Sequence, residues 1–227
     1  MKLGVLFSGG KDSVLALHLM TEEKHQISCL ITIVSKNTAS YMFHTPNVAI
    51  TVLQAQALEL PLVSVNTDGC KEEELVDLEA AILQAKTLFG VEGVVTGAVE
   101  SVYQLYRIQK ICDKLCLECF NPLWRYNPIE LLNALFKRNF QVVISGVFAY
   151  PLNEFWLGKQ LDYGIVEQLS GLSEKYGISI IGEGGEIETT VLDAPLFKQK
   201  IEIINSEINW DHTSGVFVIK KAKLTSK

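Results

Sequence analysis

The chain has 227 residues, 48% of them hydrophobic and 20% charged, with 16 Gly and 6 Pro; this excludes a disordered tail, a collagen-like repeat and a disulfide-dense mini-domain. The 26 acidic residues outnumber the 20 basic ones, giving a net charge of −6 and a pI near 5.3, which argues against a generic electrostatic grip on nucleic acid. Mean hydropathy is +0.21, yet no apolar run approaches the ~18 residues of a membrane span.

Roughly 100–200 residues per domain allows one large domain or two small ones. The opening MKLGVLF has neither the length nor the cleavage site of a signal peptide, and five cysteines, an odd number, read as reduced thiols. The expectation is a soluble cytoplasmic protein.

Short β-rich runs alternate with helical patterns through the first half. Leu3–Phe7 reads as a strand, followed by the turn SGGKDS and a helix over Ser13–Met20. Ile27–Val34 (strand), Val48–Leu58 (helix), Leu62–Asn66 (strand) and Glu72–Phe89 (helix) follow, then a fourth strand at Gly93–Thr96 and a fourth helix at Val102–Leu115. This alternation predicts βαβ units and a parallel sheet with helices on both faces. The texture changes after NPLW (Asn121–Trp124). Pro128–Phe140 reads as a helix, Gln141–Phe148 as a strand and Asp162–Tyr176 as a helix leading into Ile178–Ile181, a glycine-rich turn and Glu188–Leu192. The tail alternates as strands do, over Lys200–Ile204 and, after a turn at Thr213–Gly215, Val216–Lys220. The fold class expected is α/β: a parallel-sheet domain over residues 1–121 and a smaller α+β lobe over 122–227.

The turn Ser8-Gly9-Gly10-Lys11-Asp12-Ser13 joins a strand to a helix. Two glycines let the backbone turn tightly and approach a ligand. The helix beyond presents unpaired N–H groups and partial positive charge, so together they make a phosphate cradle. A capping box would need Glu or Gln where Leu15 stands, so the helix start is incompletely self-satisfied. The plainer alternative is an ordinary strand–turn–helix connection. Neither GxxxxGK[ST] nor GxGxxG fits.

SGGKDS resembles in full the SGGxDS turn of the pyrophosphate-loop family. The resemblance implies a Rossmann-like, adenine nucleotide alpha hydrolase-like sheet that splits ATP, with Mg²⁺, to AMP and pyrophosphate and so activates a carbonyl oxygen by adenylation. It also implies that Ser8, Gly9, Gly10, Asp12 and Ser13 hold the phosphates, with Lys11 at a variable position adding charge. Val34 and Ser35 at the exit of the second strand, and Gly97 after the fourth, would frame adenine and ribose, in keeping with ligand binding at the carboxyl ends of open parallel sheets.

Four further segments narrow the likeness: SYMFHT (Ser40–Thr45), YQLYR (Tyr103–Arg107), NPLW and GEGGEIETTVLDAPLF (Gly182–Phe197). With SGGKDS they are similar to the diphthine–ammonia ligase family, the N-type ATP pyrophosphatases, from residue 3 to about residue 204. Ile187 and Gln109 depart from that family's pattern, which usually has an aromatic at the first position and often Glu at the second. The resemblance implies that diphthine on elongation factor 2 is amidated with ATP and ammonia. Charge and hydropathy argue against nucleic-acid and membrane partners, and a homodimer is among the expectations.

Diphthine carries a carboxylate and a quaternary ammonium, which suits an aromatic and acidic pocket with cation–π contacts worth ~0.5–2 kcal/mol each. Tyr41, Phe43, Tyr103 and Trp124 are wall candidates, His44 and Gln104 stand with them, and Glu183, Glu186 and Glu188 are candidate anions. One of these glutamates could take a proton from ammonium. Arg107 could pair with the α-phosphate or the substrate carboxylate. Asp12, Ser13, Arg107, Glu183 and Glu186 form the catalytic set and Tyr41, His44, Tyr103, Gln104, Trp124 and Glu188 the substrate set.

Each has a plainer reading. Tyr41 and Phe43 fit the core of a packed loop, Tyr103 lies beside the apolar stripe Val102, Leu105, Ile108, Ile111 and Leu115, Trp124 suits a structural place after proline, and acids flanking glycines are ordinary in turns. Cys112, Cys116 and Cys119 match the C-x3-C-x2-C spacing of radical cluster enzymes. On a helix, however, they read as small buried hydrophobes, and no metal is assigned. The acidic run at Glu72–Glu79 reads as a solvated face. The rival functions are a tRNA-thiolating member of the same superfamily and a non-catalytic nucleotide-binding module.

Overall fold

The structure is a computed structural model and describes residues 1–37, 46–70 and 72–227. β1 (Lys2–Leu6), β2 (Gln26–Ser35), β3 (Leu62–Thr67), β4 (Gly93–Val95) and β5 (Glu118–Phe120) form one sheet in the order β3-β2-β1-β4-β5, every pair parallel. Helices α1 (Lys11–Glu22), α2 (Thr51–Leu58), α3 (Glu74–Phe89) and α4 (Val102–Lys114) connect them. The chain builds outward from β1 to β3, then crosses back to β4. The carboxyl ends of β1 and β4 therefore flank the switch point where open sheets bind ligands.

β5 has no counterpart among the strands expected from the sequence. Three residues give no alternation to detect, and the strand exists because Val95 finds Phe120 as its register partner.

The second half comprises α5 (Pro128–Lys137), β6 (Gln141–Val147), α6 (Tyr163–Tyr176), β7 (Ile187–Asp193), β8 (Lys200–Asp211) and β9 (Ser214–Thr225), with an antiparallel sheet ordered β7-β6-β9-β8. Local chemistry sets several boundaries. Asn127 caps α5 with proline at its first position, and the Asp162 carboxylate accepts from the Ile165 N–H at 2.8 Å to start α6. Gly177, left-handed at φ 73°, ends α6. Ile178–Ile181 then crosses into the core without joining a strand, with Ile178 and Ile181 buried. The tail strands are longer than their alternation suggested, because cross-strand pairing runs on to Asp211 and Ser214. Glu74, expected on a solvated face, is buried at the start of α3, where the helix dipole favours an acid.

Two apolar clusters fill the molecule. One joins β2 and β4 to α3 and α4 through Ile31, Ile33, Leu78, Ile82, Ile108 and Cys112. The other covers the opposite face of the parallel sheet and runs on through α1 and α2 into the second sheet, α5 and α6. α1 is consequently buried on almost every side, including Lys11, Ser13 and His18.

His18 shows how the halves are fastened. Its Nε2 accepts from the Leu196 N–H at 3.2 Å, which puts the proton on Nδ1 facing the Val14 carbonyl at 2.9 Å. The Lys198 N–H donates to the Ala57 carbonyl at 2.6 Å, and Phe197 is buried, so the DAPLF segment docks on α1 and α2. Among the described residues no helix is long and apolar enough to cross a membrane.

Burial holds the His18 imidazole below the ordinary histidine range. The unfolded chain therefore takes up a proton that the folded one refuses, so this contribution is present above about pH 6.5 and lost as the solution is acidified. Urea denaturation of wild type and His18→Gln should show a shallower loss of stability below pH 6.5 in the variant. Parallel pH profiles would contradict a neutral, buried His18.

Candidate active site

The turn between β1 and α1 takes its shape from glycines and from the second sheet. Gly9 is left-handed at φ 78°, and a Cβ there would stand 2.2 Å from Gln54 Oε1. The Gly9 carbonyl accepts from Gln54 Nε2 at 2.9 Å and from the Val191 N–H of β7 at 3.0 Å. Gln54 Nε2 also donates to the Val191 carbonyl at 2.8 Å, so two carbonyl partners fix the amide's orientation. The Lys11 N–H donates to Thr189 Oγ1 at 3.1 Å. Gly10 is the N-cap of α1 and supplies no side-chain cap, which leaves the remaining first-turn N–H groups for a ligand. Ser8 Oγ and Ser13 Oγ lie 3.2 Å apart beside it. At Gly97 a Cβ would stand 2.8 Å from the Ser13 nitrogen, so only glycine lets the β4 exit lie against the start of α1.

This turn opens into a cleft of about 750 Å³ between the two sheets, within the range of small-molecule sites. Ser8, Gly10, Lys11, Asp12 and Ser13 form one wall, and Thr96, Gly97, Ala98, Ser101 and Gln104 a second. Gly182–Gly185, Ile187, Glu188 and Thr189 form the third, with Phe148. Ile31, Ile33, Leu78 and Ile108 give it an apolar side. The donor set fits a nucleotide: a helix start for phosphates and apolar walls for a base. Asp12 Oδ1 is buried without a partner among the described residues.

The family profile described as diphthamide synthase N-terminal domain matches residues 1–119, and that of the diphthamide synthase C-terminal domain matches residues 127–225. The chain belongs to the diphthamide synthase family. Its relatives include proteins named diphthine–ammonia ligase. That of Bos taurus is 36% identical over 227 residues, covering 92% of this chain and 85% of its own. That of Homo sapiens is 35% identical with the same coverage, and that of Danio rerio 33% identical over 237 residues, covering 96% and 91%. A solved structure titled as a predicted subunit of tRNA methyltransferase from Methanocaldococcus jannaschii aligns at a TM-score of 0.43 and 18% identity, over 86% of this chain and 98% of that one.

In this member of the family the cleft is acidic. Burial pushes the Glu188 carboxyl up to about 7, with the Lys11 charge opposing and those of Asp12 and Glu183 adding. Glu183 is also raised, first by burial and then by Asp12, while its Oε2 accepts from the Glu100 N–H at 3.0 Å. Lys11 is buried and turned into the seam. Its Nζ lies 2.8 Å from Asp12 Oδ2 and donates to the Ile181 carbonyl at 2.5 Å.

Other residues singled out from the sequence lie elsewhere. Glu186 is not a cleft wall: its Oε1 accepts from the Ser179 N–H at 3.0 Å, and its carbonyl accepts from the Phe148 N–H at 3.0 Å, so it braces the turn from behind. Arg107 lies 3.4 Å over the Tyr103 ring, and both bond the Glu72 carboxylate, Tyr103 at 2.9 Å, outside the cleft lining. Val34 and Ser35 stand beyond Ile31 and Ile33, which supply the β2 contribution to the cleft; Ser35 Oγ bonds the Asn37 carbonyl. Gly9 lies behind the turn, and half-buried Trp124 outside the lining. Tyr41, Phe43 and His44 fall outside the described residues. Of the two departures from the family pattern, Ile187 lines the cleft, whereas Gln109 pairs with Asp113 at 2.8 Å along α4.

Several supports escaped sequence reasoning. Thr189 sits in the GEGGEIETT stretch, and Asn121 of NPLW accepts from Thr96 Oγ1 at 2.6 Å, holding the β4 exit. Gln54 gave no usable sign, since α2 reads TVLQAQAL and carries Thr51 and Gln56 as well. Cys112 is buried, Cys119 half-buried and Cys116 exposed. Among the described residues no three His, Cys, Asp or Glu side chains are grouped as metal ligands.

Because the folded protein holds a proton on Glu188 that the unfolded chain has released, stability falls as pH rises from about 4.5 to 7. Glu188→Gln should therefore melt several degrees higher than wild type at pH 8, a gain of at most about 3 kcal/mol, and at the same temperature at pH 4. Equal melting temperatures at pH 8 would show that Glu188 is freely solvated.

Proposed function

We propose that the chain is an ATP-dependent diphthine–ammonia ligase that adenylates the diphthine carboxylate of elongation factor 2, releasing pyrophosphate, and then lets ammonia displace AMP to give diphthamide. The observation that carries this reading is the uncapped start of α1, locked beside an acidic cleft that both sheets build. The names of the relatives supply the reaction.

The phosphates are held by the N–H groups of the first turn of α1 with Ser8 and Ser13. Ile31, Ile33 and Ile108 offer apolar surface to adenine, and the β4 exit at Gly97 lies beside the ribose. Asp12, whose Oδ1 has no protein partner among the described residues, is the side chain to hold Mg²⁺ with the triphosphate; the ion neutralises phosphate charge when bound.

Glu183 and Glu188 face the turn across the cleft and attract the quaternary ammonium and the incoming ammonium ion. A carboxyl that titrates near neutrality can take a proton from the attacking nitrogen, and this assigns Glu188 the role of base. Holding the carboxylate in line with the α-phosphate supplies most of the rate gain.

Residues 1–121 are assigned to the nucleotide and 122–227 to the rest of the substrate groove. A tRNA thiolase would call for a basic groove and a cysteine pair at the site. Here the described cleft walls carry Asp12, Glu183 and Glu188 and no cysteine. The free thiols and the net charge of −6 suit a cytoplasmic enzyme acting on a protein without nucleic acid.

The deciding experiment is incubation with ATP, Mg²⁺, ammonium and diphthine-bearing elongation factor 2, recording the nucleotide product and the mass of the modified peptide. AMP together with conversion of carboxylate to amide is expected; ADP, or no turnover with ATP still bound, would refute the reading. Asp12→Ala should lower kcat by at least a hundredfold with the melting temperature within a few degrees of wild type. Full activity in that variant would remove Asp12 from the site.

A further inference from the structure

Two segments that leave the cleft carry exposed tyrosines onto its rim. β6 continues through Phe148, a cleft wall, to Tyr150, which is 78% exposed. α6 ends at Tyr176, 38% exposed, and the chain returns through Ser179 to the glycine turn of the cleft. Glu186 ties the two segments together by accepting from the N–H groups of Phe148 and Ser179, both at 3.0 Å. The end of β6 pairs Val147 with Ile187, a cleft wall, and two residues of chain reach at most ~7 Å beyond Phe148, so Tyr150 lies beside the cleft with Tyr176 packed against it.

The two rings contact each other and a neighbouring cation. Tyr150 and Tyr176 meet edge to face with centroids 5.4 Å apart and planes at 85°. Lys175 Nζ lies 5.0 Å from the Tyr176 centroid. Phe155, 54% exposed and five residues beyond Tyr150, carries Lys159 Nζ at 4.3 Å over its ring. Scattered exposed aromatics need no explanation. Two tyrosines packed edge to face beside a reaction cleft form an amphipathic surface, the kind that dominates protein interfaces at little entropic cost.

Resting on the ligase reading above, the occupant follows from the substrate. The reacting group is one side chain of a folded protein, so the polypeptide around it must lie against the rim whenever that side chain is in the cleft. The acidic interior takes the quaternary ammonium, and the aromatic rim takes the flanking chain. We propose that Tyr150 and Tyr176 are the docking platform for the polypeptide that carries the diphthine side chain.

The test compares wild type, the double variant Tyr150→Ala/Tyr176→Ala and, as a control, Tyr163→Ala, an aromatic 66% exposed at the start of α6 and packed on Phe136. The double variant should raise KM for diphthine-bearing elongation factor 2 at least tenfold, with kcat, Kd for ATP and melting temperature unchanged. Tyr163→Ala should match wild type, and Tyr150→Phe should keep most of the affinity. An unchanged KM in the double variant, with wild type active, overturns the platform and leaves the ligase standing. A wild type that makes no amide ends the ligase reading and the platform with it. Loss of a concentration-dependent dimer with KM unaltered would assign the face to a second copy of the chain and overturn the proposal equally.

Discussion

The Gly9 carbonyl is the bond on which the site depends. It points away from the cleft and is held by the Val191 N–H and the Gln54 amide, one from each side of the seam. A buried carbonyl that lost these partners would cost about 1–3 kcal/mol. The conformation that satisfies it is the left-handed one that turns the chain toward the start of α1. The parallel sheet therefore cannot finish its own phosphate turn: β7, encoded some 180 residues later, supplies the second half of the template. Burial of α1 between the sheets follows from the same requirement, since Thr189 must reach the Lys11 N–H.

Electrostatics at the seam are arranged by one buried cation. Lys11 satisfies Asp12 on one side and the Ile181 carbonyl on the other, so its charge is spent inside the protein, pinning the glycine turn. Burying an ion pair carries a desolvation cost that excellent geometry only offsets, and the extra carbonyl supplies part of that geometry. Asp12, Glu183 and Glu188 then share a cleft that must also admit a triphosphate. Burial resolves the conflict by keeping Glu188 partly protonated near neutrality, which lowers the negative charge facing the phosphates while retaining a carboxyl that can bind and deprotonate an amine.

What could be read from the sequence divides along the same seam. SGGKDS was legible because its requirements are local: two glycines, a strand before and a helix after. The Gly9–Gln54–Val191 bonding was not, since no local rule ties a glutamine in an apolar helix to a turn 45 residues away. YQLYR illustrates the opposite case. Tyr103 and Arg107 are one helical turn apart, so Arg107 lies over its own neighbour's ring, although sequence reasoning assigned it to a phosphate or the substrate carboxylate. The GEGGEIETTVLDAPLF segment divides in two: its first part walls the cleft, and DAPLF closes on His18 and α2. Sequence reasoning had treated it as one block because nothing in the string marks where lining ends and docking begins.

The two helix starts at the switch point are not equivalent, and the difference sets the direction of binding. α4 begins with Ser101, whose Oγ accepts from the Gln104 N–H at 3.3 Å, so its N-terminus is satisfied from within. α1 begins with Gly10 and has no such cap. An anion entering the cleft therefore finds free donors on the β1 side and, on the β4 side, the Gln104 side chain on a rail held by Thr96 and Asn121. In the proposed reading phosphates go to α1, with the acids of the glycine turn facing them. In the same reading the cationic end of the substrate meets the Glu183 and Glu188 wall, on the side where Phe148 leads out to Tyr150 and Tyr176.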